Sequence, residues 1–354
     1  MANIHDSARL YEEWLRKQLH GDVVEADLAR KHDKMKESAF VFLRATYWRW
    51  TETILDICPD LGGAPPVLAV GDIHLENYGT WRDIDGRLVW GVNDFDEAAE
   101  MPYVLDLVRL AASALLGRTR NGITAEEICA AILLGYRQGL QAPKPIVLDR
   151  DNQWLRDLVV VSEKQRSKFW KKLVAAKTKP APARYRKALA DAMPEASLTL
   201  RCSRRSAGTG SLGRPRWVGI ADWRGAPVVR EAKALLTSAW ARDSRGSRKI
   251  RCGDIANGRF RAPDPWFRID GTIAVRRLSP NNRKIEVEDN TNTLLVPDML
   301  RTMGFELANT HLGTIDRRTA VSRDLTKRRR GWLSANAKTA CEAITREYTD
   351  WRAS

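Results

Sequence analysis

The stretch VGDIHLENYG, residues 70–79, sets Asp72, His74 and Asn77 in one polar turn behind the apolar run VLAV. A second such turn follows in GVNDFDEA, residues 91–98, where Asp94 and Asp96 stand behind another apolar run. Both turns read as the ends of strands, so two sets of hard oxygen ligands are gathered close together in sequence. Mg²⁺ prefers such oxygens, retains waters, and is held by one or two carboxylates plus substrate phosphates. Asn77 and Asp94 supply metal-binding oxygens in that pattern, with Asp96 as a second carboxylate or an exposed turn residue. Asp72, five residues before the asparagine, can accept a proton from an attacking hydroxyl. His74 can act as a base or hydrogen-bond within the loop. The same residues are also compatible with turn formation and helix capping, and with calcium binding or metal-assisted hydrolysis.

The chain has 354 residues, 44% hydrophobic and 29% charged, a globular composition with room for one large domain or two lobes. No apolar run approaches the roughly 20 residues of a membrane helix. The first residues lack a signal-peptide core. The 5 cysteines (Cys58, Cys129, Cys202, Cys252, Cys341) are scattered, without CxxC spacing, which predicts a cytoplasmic protein with neither a disulfide framework nor a zinc site. The net charge is +15. Much of it lies in 164–187 and in KRRRGW, 327–332, either solvated basic faces or surfaces for an anionic partner. Nucleic acid is suggested by charge alone, with no helix-turn-helix, zinc or RNP signature. The 13 tryptophans, often beside arginine, fit core packing and cation–π stacking.

Periodicity predicts helices over 7–58, a short strand at VLAVGD, a hairpin over GTWRDIDGRLVWGVNDF, and helices from Pro102 to about 140. Residues 146–195 read as polar, basic and helical in pieces. Three β-rich runs follow, LTLRCS, RPRWVGIADW and APVVREAKAL, then the hairpin WFRIDGTIAVRRLSP. PDMLRTMGFELANTHLG restarts a helical face, and the last fifty residues are helical. Between the first two β runs, GTGSLG (208–213) has G-x-G-x-x-G spacing. Pro215 and a strand follow it, which argues against a Rossmann fingerprint and favours either a plain hairpin turn or a phosphate-covering loop.

GDIHLENYG resembles the catalytic loop of aminoglycoside phosphotransferases and choline kinases, and NDFDEA resembles their metal-binding segment. LDLVRLAAS is similar to their following helix, whose aspartate, here Asp106, buttresses the catalytic loop. Val70 stands where those enzymes carry histidine. Over about residues 30–315 the chain resembles an uncharacterised bacterial family, domain of unknown function 2252, through ESAFVFLRA, GDIHLENYG, NDFDE and VVREAKALLTSAW. The resemblance implies Mg²⁺ and ATP as cofactors, Asp72 as base and Asn77 and Asp94 on the metal. Gly208, Gly210, Gly213 and Lys233, with Arg230 as an alternative, would secure the phosphates. A nucleotidyl transfer would use the same parts.

In ordinary kinases the glycine loop and its lysine precede the catalytic loop; here they follow it. The expectation is therefore an α+β, kinase-like two-lobed fold, circularly permuted, with a mainly helical lobe and a smaller antiparallel β lobe. The divisions expected are an N-terminal helical segment (1–60), a helical lobe with the acidic loops (61–195), a β-rich nucleotide lobe (196–285) and C-terminal helices (286–354). The helix in 297–313 would run into the catalytic loop of an unpermuted relative. The acceptor is expected to be a small molecule, and no membrane is involved. Arg44 is read as a buried ion-pair arginine or a snorkelling one. Glu231 is expected to face away from Lys233, which leaves that lysine without a glutamate partner and admits a regulatory pseudokinase.

Overall fold

The protein is described by a computed structural model covering residues 2–118, 122–242, 245–282, 284 and 293–353. It is an α+β structure. Four helices open it: α1 (Ile4–Gln18), α2 (Glu25–Met35), α3 (Ala39–Ala45) and α4 (Tyr47–Ile57). Ser38 starts α3 by accepting the Val41 N–H on its hydroxyl, at 3.2 Å.

Two short ladders then create the acidic turns. Strand β1 (Pro66–Ala69) pairs antiparallel with β4 (Ala99–Pro102), and β2 (Tyr78–Arg82) pairs with β3 (Leu88–Val92). The register sets Ala69 opposite Ala99 and Tyr78 opposite Val92. Residues 70–77 and 93–98 therefore leave one pair of ladders and enter the other at the same place. That is why two sequence-separated groups of carboxylates meet. The β2–β3 turn closes on Asp83, whose carboxylate accepts the N–H groups of Asp85 and Arg87 at 3.1 and 2.9 Å. Strand β5 (Ile146–Val147) adds to β3.

Below the ladders lie α5 (Tyr103–Gly117), α6 (Ala125–Gln141) and, from the far end of the chain, α11 (Pro297–Leu312). Helix α6 begins with a capping box between Thr124 and Glu127. Three peripheral helices follow, α7 (Gln153–Val159), α8 (Glu163–Val174) and α9 (Ala183–Asp191). The β-rich region is one antiparallel sheet of five strands, ordered β6-β7-β8-β10-β9. These are β6 (Arg201–Arg204), β7 (Arg216–Trp223), β8 (Ala226–Ala234), β9 (Arg268–Asp270) and β10 (Ile273–Arg277), with α10 (Cys252–Ala256) inserted. α12 (Arg318–Lys327) and α13 (Trp332–Arg352) complete the fold, and α13 packs on α5. The expected lobe boundary at 285–286 lies outside the described residues. No helix among the described residues is long and apolar enough to cross a membrane.

Two features bring the C-terminal part back beneath the acidic turns. Thr314 and Ile315, just past α11, lie beside Pro66, Val67 and Leu68 of β1. α11 itself crosses α6 with backbones nearly touching. A Cβ on Gly135 would stand 1.7 Å from the Arg301 carbonyl oxygen, and one on Gly304 2.1 Å from that of Ile132. No rotamer relieves a clash with backbone, so the helices would have to separate. We expect Gly135→Ala or Gly304→Ala to cost about 3 kcal/mol or more of stability, read as a fall in the urea midpoint at unchanged slope.

Candidate functional site

Helix α5 carries the site. Asp106, Arg109 and Ser113, spaced i, i+3 and i+7, lie on one face of it. The Asp106 carboxylate accepts the N–H groups of Val70 and Gly71 at 2.7 and 3.0 Å, and pairs with His311 Nε2 at 3.0 Å. His311 Nδ1 in turn meets the Tyr136 hydroxyl at 2.8 Å. Arg109 holds Asp72 Oδ1 at 2.5 Å, donates to the Leu43 carbonyl, and lies over the rings of Tyr47 and Trp50. Ser113 Oγ accepts the Leu75 N–H at 3.1 Å. The loop 70–75 is thus held at four points by one helix face. Gly71 has φ +81°, and a Cβ there would meet the Glu97 carbonyl oxygen at 2.5 Å, so the tight turn requires glycine.

Asn77 joins the two turns. Its amide donates to the Asp72 and Asp94 carbonyls, both at 2.9 Å. Both amide hydrogens being used, its side-chain oxygen remains as an acceptor. Asp94 faces Lys233 Nζ at 3.5 Å and Lys284 Nζ at 3.7 Å. Burial opposes its ionisation, but Lys233, Lys284, Arg276 and Arg216 outweigh that and hold its pKa well below the usual carboxylate range. Burial raises the pKa of Asp72, with Arg109 opposing. His74 is buried among Arg44, Lys284 and Arg109, and burial first, then those cations, holds it neutral. Its Nδ1 accepts the Glu76 N–H at 3.2 Å, the loop-supporting role. Arg44 pairs with Glu76 at 2.7 Å, so it is an ion-pair arginine.

Asp72, His74, Asn77, Asp94, Asp96, Gly208, Gly210 and Lys233 all line one narrow cavity of about 60 Å³. The glycine loop between β6 and β7 reaches the acidic turns, and a Cβ on Gly210 would lie 2.9 Å from Asp72 Oδ2. A wider cavity of about 390 Å³ adjoins it, and Lys284 belongs to both walls. Trp81, Val92 and Phe95 line the wider cavity, as do residues 276–280, at the end of β10 and just past it.

Two expected residues are placed otherwise. Arg230 is three positions from Lys233 on β8, so strand alternation puts it on the opposite face. There it donates to the Ala192 carbonyl and lies over Trp266. Gly213 (φ +94°) packs on Leu28, and its carbonyl accepts the Val24 N–H at 2.9 Å, outside the cavity wall. Asp96 stays in the cavity wall, ion-paired with Lys233 and 3.7 Å from Arg214, and is not an exposed turn residue. Glu231 also departs from expectation. It sits two residues from Lys233 on the same sheet face, held by Arg205, Arg216 and Arg276.

Several residues at the site went unread in the sequence. Lys284 was one. Glu97 was another; it receives Arg214 from the glycine loop at 2.5 Å and the Ala239 N–H at 2.7 Å, which ties the acidic turn to the β sheet. Arg109 had a signal, its i+3 spacing from Asp106. Lys31 on α2 is buried over Tyr11 and Trp48 and donates to the Gly210 carbonyl at 3.0 Å. Burial, with Arg214 nearby, pushes its pKa down to about 7, against Asp72, Glu12 and Glu97.

A family model described as an uncharacterized protein conserved in bacteria (DUF2252) matches residues 23–202. The chain belongs to that family. The matched segment contains both acidic turns and the α5 face, whereas the glycine loop, Lys233 and Lys284 lie beyond it. Neither the curated proteins nor the solved structures yield a match.

Among the described residues no group of three or more His, Cys, Asp or Glu side chains is arranged to hold a metal. The donor set present, the Asn77 side-chain oxygen and the Asp94 carboxylate, instead fits an ion completed by water and phosphate oxygens, the pattern Mg²⁺ favours.

Two outcomes are expected. Asp106→Asn leaves one buried loop N–H or His311 short of an acceptor, a loss of about 1–3 kcal/mol by chemical denaturation. The second concerns Lys31. Its folded pKa lies below its unfolded one, so between about pH 7 and the ordinary lysine value the unfolded chain binds more protons. Stability of the natural protein relative to Lys31→Met should therefore rise from pH 7 to pH 9.5; a flat difference in urea midpoints would contradict the assignment.

Proposed function

We propose that the protein is a Mg²⁺-dependent ATP phosphotransferase of kinase-like, circularly permuted architecture, acting on a hydroxyl- or amino-bearing small molecule. The observation that carries this reading is the convergence of Asp72, Asn77, Asp94, Lys233 and the glycine-loop residue Gly210 on one cavity, from segments far apart in the chain. Kinases use these parts in these roles: an acidic residue for the acceptor proton, an asparagine and an aspartate for metal, a lysine on the third strand and a glycine loop over the phosphates. Lys233 lies on β8, third in the sheet after the two strands that flank the loop. The proximity of Thr314 and Ile315 to β1 supports permutation, because the helix α11 would there continue into the strand that leads to Asp72.

In this reading Arg109 fixes the Asp72 carboxylate, which orients the acceptor and takes its proton as the oxygen or nitrogen attacks the γ-phosphorus. The bond to the β,γ-bridging oxygen breaks and ADP leaves. Asn77 and Asp94 would hold Mg²⁺, which neutralises phosphate charge. Lys233, fixed by Asp96, and Lys284 add positive charge on the leaving-group side. These charges are partly buried around a narrow cavity, so each acts at a dielectric below that of water. The raised pKa of Asp72 suits proton acceptance. The wider cavity has the volume to take a nucleoside.

A second reading, a non-catalytic nucleotide-binding protein, draws on one observation. The tip of the glycine loop lies against Asp72, where a transferring phosphate and its acceptor would have to meet. Thermal unfolding with ATP, with and without Mg²⁺, separates the two. We expect Mg²⁺-dependent stabilisation and ATP consumption, both abolished in Asp94→Ala. Asp72→Asn should keep the stabilisation and lose turnover by about 100-fold or more. Undiminished turnover in Asp94→Ala excludes the reading; metal-independent stabilisation without turnover selects the second.

A further inference from the structure

The wall between the β sheet and the wider cavity holds an unbalanced cluster of charge. Glu231, on β8, has no exposed surface. Its Oε1 accepts from Arg216 at 2.9 Å and Arg276 at 2.8 Å, and its Oε2 pairs with Arg205. The register explains the grouping. Arg276 on β10 and Val218 on β7 flank Glu231 directly, and Arg216 lies one same-face position along. Three guanidiniums on one carboxylate leave an excess of two positive charges. Burial opposes ionisation of Glu231, yet Arg216, Arg276 and Arg205 hold its pKa far below the usual range, so it stays an anion.

The excess is directed. Arg205 and Arg276 both line the 390 Å³ cavity, with side chains 29% and 32% exposed, whereas Arg216 is turned inward to Ser211. Lys284 stands in the same wall and marks the passage to Asp94. The other arginines of this cavity are neutralised, Arg261 by Glu306 and Arg277 by Asp264. A guanidinium has five N–H donors, and the contacts with Glu231 use only part of them. Such a fork matches phosphate oxygens in pairs. Glu231 therefore acts as an anchor that presets two arginines toward the cavity.

We infer that Arg205 and Arg276, aligned by Glu231 and joined by Lys284, form a cradle for a polyphosphate chain of two or more linked phosphates. The assignment of that chain to a nucleotide rests on the function proposed above; the cradle itself does not. It gives the phosphates a cationic seat on the sheet, while the glycine loop is tied to α2 through Lys31 and Val24.

The test uses the full chain and inorganic tripolyphosphate, with orthophosphate and adenosine for comparison at matched ionic strength. Calorimetric titration should show tripolyphosphate binding more tightly than orthophosphate, and adenosine contributing separately. Arg276→Gln should weaken tripolyphosphate about tenfold or more, the loss of a charge-assisted bond, and Arg276→Lys should recover part of it. Arg205→Gln, on a different strand, should give the same loss; should one variant fail to fold, the other decides. Tripolyphosphate affinity unchanged in a folded glutamine variant, or absent in the natural protein, overturns the cradle. Tripolyphosphate bound through these arginines with no ATP turnover rejects phosphotransfer alone. Turnover with unaltered tripolyphosphate binding in both variants rejects the cradle alone.

Discussion

The buried carboxylate of Asp106 is the point from which the cleft hangs. It has no exposed surface, it caps two successive N–H groups of the turn before Asp72, and it meets His311 from the last third of the chain. A carboxylate deprived of water is costly unless it is fully hydrogen-bonded. Here the two loop N–H groups and the imidazole supply those bonds, so the polar group fixes one arrangement of three distant segments. One turn further along α5, Arg109 carries the same logic to Asp72 itself.

The two halves of the cleft share one apolar core and are joined around the cavity by charge. Glu97 and Arg214 clasp the acidic turn to the glycine loop, Lys233 reaches Asp96 and Asp94, and Lys284 reaches Asp94 from past the last strand. The Glu97–Arg214 and Lys233–Asp96 pairs are shielded from water and those of Asp94 only in part, so these contacts fix geometry and are only weak evidence of net stability. Such preset charge is what a site for a polyanion requires, because the groups need no rearrangement when the ligand arrives.

The local part of this arrangement was legible in the sequence. Apolar runs ending in Asp, His and Asn predicted strands ending in acidic turns, and the ladders β1–β4 and β2–β3 end there. The meander around GTGSLG and the hairpin at WFRIDGTIAVRR follow period-two patterning and glycine turns, and both formed. The likeness of LDLVRLAAS to the helix of aminoglycoside phosphotransferases pointed to Asp106. What escaped notice acts across the chain. Lys284 meets Asp94, and Glu97 meets Arg214, through tertiary contacts that no local pattern encodes. Glu231 was misread for a different reason. Alternation along β8 places it with Lys233 and apart from Arg230, and the three arginines around it come from other strands.

The partnership of Asp106 with His311 spans 205 residues. A ribosome adding roughly 5–20 residues per second needs about 10–40 s to cover that interval. Throughout that time the growing polypeptide carries a helix whose inward-facing acid has no imidazole to meet, above a floor that α11 has not yet laid. Assembly of the cleft is thereby postponed until α11 has been made.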